Sequence, residues 1–189
     1  MSKADIDRVL NVFEQVYFAP FKDFNHYYWV SGGAVVDTFI DQPINDVDMH
    51  FSSKQIQEEA LAHMIEQGFE LVKTEPTHFK MFNGLIKYDL LHTWVSPAET
   101  IAKYDYEHSC GAIDKNLNFI CHDNFFDRLE DKKLIPTNPD NFNEIQQWPV
   151  SVIRRLLKCI RKGYTIDTGN LEIVCQQVID LQDSGRRIK

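Results

Sequence analysis

Residues 27–51, YYWVSGGAVVDTFIDQPINDVDMHF, constrain the fold more than any other stretch. Tyr28, Trp29 and Val30 form a β-prone apolar run that stops at Ser31-Gly32-Gly33. Two glycines there let the backbone turn sharply and approach a ligand with no side chain in the way. A helix is expected at once, because Val35, Val36, Phe39 and Ile40 recur at the spacing of one buried face. The free amides and positive dipole end of such a helix attract phosphate. After Pro43, the run Asp46-Val47-Asp48-Met49-His50-Phe51 alternates polar and apolar residues, as a half-buried strand does. Val47, Met49 and Phe51 then face a core, and Asp46, Asp48 and His50 share the other side. Two carboxylates two residues apart on one strand face suit a hard divalent cation that also holds substrate phosphates.

Gly32-Gly33-Ala34-Val35-Val36-Asp37, a loop and Asp46-Val47-Asp48 occur in that order. Together they resemble the head-domain signature of class II tRNA nucleotidyltransferases (CCA-adding enzymes) and bacterial poly(A) polymerases. That signature is Gly-Gly-x-Val-Arg-Asp, then Asp-x-Asp, and these enzymes are polymerase-β-type nucleotidyltransferases. The spacing matches, but the family arginine is Val36 here. The resemblance implies an α+β fold, a mixed antiparallel sheet with helices packed on it, followed by a short helical neck. It implies a head over residues 1–136 and a neck-like appendage over 137–189.

The rest of the chain can be read on that frame. Ile6, Val9, Leu10, Phe13, Val16 and Tyr17 predict a helix over residues 5–18, closed by Pro20. Ser53 and Gly68 bracket a second helix. Residues 78–82 and 85–91 flank Asn83-Gly84, a strong hairpin signal. Asp89 interrupts the second of these strands, and a lone Asp in a strand calls for an edge, a partner or a metal. The resemblance gives Asp89 the role of third catalytic carboxylate. Ser96-Pro97-Ala98-Glu99 predicts a capped helix start. Residues 106–113 and 117–121 are expected as short strands. The family has two nucleotide-binding arginines near here; this chain has Asp105-Tyr106-Glu107-His108-Ser109-Cys110-Gly111-Ala112.

Asp127-Arg128-Leu129-Glu130-Asp131 through Ile135 resembles the segment that closes the family head, and the proline- and asparagine-rich stretch 136–149 reads as a boundary. A basic helix follows over 150–164. Its apolar face is expected from Val152, Ile153, Leu156, Leu157 and Ile160, and it carries Arg154, Arg155, Lys158, Arg161 and Lys162. It resembles the first neck helix of the family. The family residues that read the incoming base are replaced by Gln147, Trp148 and Ser151, which argues against base selection of the CCA kind. One more helix is expected over 171–181, then a basic tail.

Charge and composition narrow the class further. A net charge of −8 over 189 residues excludes a broad non-specific nucleic-acid surface. No apolar run approaches the roughly 20 residues of a membrane helix, and MSKADIDRVL does not read as a signal peptide, so the expected compartment is the cytoplasm. Cys110, Cys121, Cys159 and Cys175 lack Cys-x-x-Cys spacing and read as reduced thiols, with a zinc site from His108, Cys110, Cys121 and His122 as the minor alternative.

The resemblance therefore implies a nucleotidyltransferase with Mg²⁺ (or Mn²⁺) on Asp46, Asp48 and Asp89. An NTP triphosphate would rest on Ser31, Gly32 and Gly33, with Asp37 among the nucleotide-binding residues and Arg154, Arg155 and Lys158 as further phosphate contacts. The expected acceptor is a hydroxyl, on tRNA, other RNA or another molecule, and an oligomer that completes the site is compatible with the short chain. Two other readings stay open: a catalytically inactive nucleotide-binding relative, and a small-molecule or protein nucleotidyltransferase of the antibiotic-modifying or toxin kind. A metal-dependent glycosyltransferase also uses Asp-x-Asp, but a diglycine turn before it fits poorly.

Overall fold

The computed structural model describes residues 2–137 and 149–183. The expected boundary loop at 138–148, with Gln147 and Trp148, and the tail after Asp183 lie outside the described residues. Two compact units form: residues 1–101 with 109–121, and residues 102–108 with those after 121. This partition interleaves along the chain.

The first unit is a seven-stranded mixed sheet with helices. It opens with α1 (Lys3–Val12), where the Ser2 hydroxyl accepts from the Asp5 amide and Asp5 accepts from the Ser2 amide, a capping box that fixes the start. The expected single helix over 5–18 is split: α1 widens into one loose turn over Phe13–Tyr17, then a tight turn at Ala19–Phe21. There follow β1 (Tyr28–Ser31), α2 (Gly33–Phe39), β2 (Val47–Phe51), α3 (Lys54–Glu66), β3 (Glu70–Thr74), β4 (His78–Phe82), β5 (Lys87–Leu91), α4 (Pro97–Ala102), β6 (Gly111–Asp114) and β7 (Phe119–Cys121). The strand order is β3-β4-β5-β2-β1-β6-β7. β2 and β5 run parallel, and every other neighbouring pair is antiparallel. A parallel pair needs a crossover, and α3, β3 and β4 supply it.

Alternation decides what the sheet buries. Tyr28, Val30, Val47, Met49, Phe51, Tyr88, Leu90 and Ile113 are all buried on one face. Phe21 and Phe24 pack against Tyr28, Phe51 and Tyr88 with ring centroids 5.2–6.3 Å apart, the tilted and edge-on geometry aromatic rings favour.

The β4–β5 hairpin departs from the sequence expectation. The loop is not the two residues Asn83-Gly84 but the four residues 83–86, and β5 starts at Lys87 rather than Leu85. The Asn83 carboxamide oxygen accepts from the Leu85 and Ile86 amides at 3.0 and 2.8 Å, and this side-chain turn replaces two rungs of ladder. The shift of two residues keeps every side chain on its face but changes its partner. Asp89 now pairs with Lys80. Strand formation is also shorter than expected at 106–113, where a tight turn over Glu107–Ser109 precedes β6, and at 117–121.

The second unit contains α5 (Phe125–Asp131), α6 (Pro149–Arg161) and α7 (Thr168–Asp183). Its core is Tyr106, Leu134, Val152, Leu156, Tyr164, Val174 and Leu181. Only part of the expected apolar face of α6 is covered, since Ile153, Leu157 and Ile160 are 41–44% exposed. Gly163 ends α6 at φ +88°, a backbone state that glycine reaches without strain. Among the described residues no helix is long and apolar enough to cross a membrane.

Candidate active site

The sheet face opposite the aromatic core carries the candidate residues Ser31, Asp48, His50 and Asp89. β1 leads into the turn, and Gly32 takes φ 69° and ψ −127°, a region open to glycine alone at low cost. Its amide donates to the Gly111 carbonyl at 3.0 Å, tying the turn to β6. A Cβ built on Gly33 would meet nothing within 4 Å, so the start of α2 faces open space. Ser31 is fully buried, and its hydroxyl bonds the His50 Nε2 at 2.8 Å.

β2 begins at Val47, so Asp46 stands exposed just before the strand, while Asp48 is half-buried within it. Asp48 and Asp89 are register partners on the parallel strands β2 and β5. Register partners share a face and lie about 4.8 Å apart along the hydrogen-bonding direction. Two of the three expected carboxylates are therefore side by side, and the third, Asp46, precedes the strand two residues before Asp48. Asp89 is also bonded by the Lys80 ammonium at 2.5 Å.

The other expected site residues belong to other elements. Asp37 is only 3% exposed on α2. It lies near Tyr17, whose hydroxyl is pushed up chiefly by burial and further by the Asp37 charge. Arg154, Arg155 and Lys158 are exposed residues of α6 in the second unit, where Arg155 forms an ion pair with Asp105. Val36, which stands at the family arginine, is buried in α2. The minor zinc alternative is not formed: among the described residues no three His, Cys, Asp or Glu side chains are grouped to hold a metal ion.

That absence also covers Asp46, Asp48 and Asp89, so the residues must be tested against Mg²⁺ on their chemistry. Mg²⁺ keeps several waters and is commonly bound by one or two carboxylates plus substrate phosphates, not by an all-protein cage. The register pair of carboxylates, Asp48 and Asp89, fits that donor set.

His50 was placed on this face by alternation, but its role was not. It stacks on Trp29 with ring centroids 5.7 Å apart at 10° and touches Trp94 at 5.7 Å. Burial pushes its pKa down to about 3, so a neutral imidazole holds the Ser31 hydroxyl. The unfolded chain protonates His50 near 6.5 and the folded chain only near 3. The unfolded state thus binds more protons between these values, and stability falls as pH drops through this window, by about 1.4 kcal/mol per unit. Denaturant unfolding at pH 7 and pH 5 is expected to show wild type losing roughly 2 kcal/mol more than His50→Gln over that interval. Equal losses in the two proteins would remove the buried neutral histidine from the account.

Comparison with known proteins follows the same lines. Among similar solved structures are a CCA-adding enzyme with CTP (15% identity, TM-score 0.71, 96% of this chain and 47% of that one) and one with ATP (17%, 0.71, 97% and 47%). A third is the Thermotoga maritima CCA-adding enzyme complexed with tRNA (14%, 0.65, 95% and 43%). The chain spans about half the length of these structures. At such identities the likeness establishes the fold, a nucleotidyltransferase-type α+β architecture. No curated protein matches the chain. The family model of Gabija anti-defense 2 proteins matches residues 3–132, which takes in β1, the diglycine turn, β2 and β5. By that match the chain belongs to the Gabija anti-defense 2 family.

Proposed function

We propose that this protein transfers a nucleoside monophosphate from an NTP to an acceptor hydroxyl and releases pyrophosphate. The observation that carries the reading is the register pairing of Asp48 with Asp89 on the face that also receives the Ser31-Gly32-Gly33 turn. Asp46, Asp48 and Asp89 would hold Mg²⁺ or Mn²⁺. When bound, the ion would neutralise the triphosphate and the charge that develops on leaving pyrophosphate. The turn amides take phosphate oxygens, and His50 keeps the Ser31 hydroxyl oriented beside them. The acceptor oxygen forms a bond to the α-phosphorus, the bond from the α-phosphorus to the β-bridging oxygen breaks, and the hydroxyl proton passes to a carboxylate of this face or to water. Transfer of this kind depends mainly on positioning and charge neutralisation, which suits a face built of rigid central strands. The proposal rests on the first unit alone.

The family name speaks of anti-defense against Gabija. On this reading nucleotidyl transfer is the chemistry by which the chain acts there. The solved neighbours carry CTP, ATP and tRNA, so an RNA end is one acceptor class; protein and small-molecule hydroxyls are the others. A second reading, a nucleotide-binding protein without turnover, is favoured by the Lys80–Asp89 ion pair and by Val36 at the family arginine.

The deciding experiment incubates the protein with each α-labelled NTP, Mg²⁺ or Mn²⁺, and bacterial lysate. Label is expected in one fraction, RNA, protein or small molecule, and that fraction names the acceptor. Tight NTP binding with no label transferred would favour the second reading instead.

A further inference from the structure

Lys80 is the residue of this face that neither the sequence signature nor the proposed chemistry uses. It lies opposite Asp89 across the β4–β5 ladder. A row of charge therefore crosses the sheet through register partners: Asp48 on β2, Asp89 on β5, Lys80 on β4 and Lys73 on β3. Lys73 is engaged by Glu75. His78, two residues from Lys80 on the same face, pairs with Leu91. Lys80 is bonded to Asp89, whose side chain is 12% exposed against 37% for that of the lysine.

An ordinary surface ion pair contributes little. This one neutralises a partly buried carboxylate with a second carboxylate one strand away, and like charges so placed repel unless a cation intervenes. Lysine is suited to leave again, because its charge is a compact ammonium on a flexible four-carbon stem. A divalent ion that ligates Asp89 competes with that ammonium for the carboxylate, and the phosphates of an incoming NTP offer the ammonium a new anionic partner.

We infer that Lys80 is an internal counter-cation that guards Asp89, so that a divalent ion gains this carboxylate only as NTP phosphates draw the lysine away. Lys80 is thus a positioning residue for nucleotide and metal together, and the inference rests on the nucleotidyltransferase reading given above.

The test is direct metal binding to the nucleotide-free protein. Mn²⁺ affinity is read from the paramagnetic signal of the free ion, for wild type, Lys80→Met, Lys80→Gln, Lys80→Arg and Asp48→Asn. Lys80→Met and Lys80→Gln are expected to bind Mn²⁺ about tenfold more tightly than wild type, and Lys80→Arg as weakly as wild type. In EDTA, the same two neutral variants are expected to bind a non-hydrolysable NTP analogue about tenfold more weakly, because the ammonium no longer meets the phosphates. Unchanged or weaker Mn²⁺ binding in both neutral variants overturns the guard. Asp48→Asn separates this from the parent reading. If it loses Mn²⁺ binding while the Lys80 variants match wild type, only the guard fails. If it binds Mn²⁺ as wild type does, the carboxylate site itself fails.

Discussion

Asp48→Asn is expected to lower nucleotidyl transfer by about 10³-fold or more, with little change in the unfolding midpoint. The side chain is half-buried in the middle of β2, between the diglycine turn and Asp89. Asparagine keeps its shape and removes one charge. A bound ion at such a site supplies several kcal/mol of charge stabilisation in the transition state, and each 1.36 kcal/mol corresponds to about tenfold in rate. Val47 and Met49 face the core, and Asp48 lies on the opposite face of the strand. Initial rates of label transfer, with thermal melts of both proteins, check both halves. A variant that keeps more than about a tenth of wild-type rate contradicts the assignment of Asp48 to the reacting groups.

Trp29→Ala is expected to cost about 3–5 kcal/mol of stability, the range for emptying a large buried aromatic site. Trp29 is fully buried on the functional face of β1. Its indole N–H donates to the Thr100 hydroxyl at 2.9 Å, which fastens α4 to the sheet, and its ring stacks on His50. Truncation leaves a cavity beside His50 and loosens the imidazole that holds Ser31. Domains are stable by only about 5–15 kcal/mol, so the loss is a large share. Trp29→Phe keeps most of the volume and gives up the hydrogen bond, and is expected to cost less than half as much. Urea unfolding of the three proteins decides; a loss under about 1 kcal/mol for the alanine variant would show that α4 and His50 do not depend on this ring.

Much of this architecture was legible in the chain. Period-two alternation in residues 46–51 put Asp48 and His50 on one face, and Ser31-Gly32-Gly33 marked the turn, because both signals are local. The α+β class followed from the family resemblance that these signals carry. What escaped were relations between segments. Asn83-Gly84 reads as a two-residue loop, yet the Asn83 carboxamide organises four residues. The pairing of Lys80 with Asp89 depends on that count and could not be read from either strand alone. The Ser31–His50 bond likewise joins two strands through side chains, and only the antiparallel register of Trp29 with His50 brings them together. Asp37 matched a family signature but sits inside the unit, since a position on a short buried helix is decided by packing. On α6 the 3.6-residue period identified the helix correctly and overestimated the covered face, because periodicity states which residues are apolar and not how many find a neighbour.

The central claim is nucleotidyl transfer at the Asp46, Asp48 and Asp89 face. The most direct test supplies the protein with Mg²⁺ and the same NTP labelled either at the α- or at the γ-phosphate, with the acceptor fraction present. The account predicts label in the acceptor from the α-position alone, with the γ-label recovered as pyrophosphate. Transfer of the γ-label, or no α-label transferred from any of the four NTPs, would contradict it.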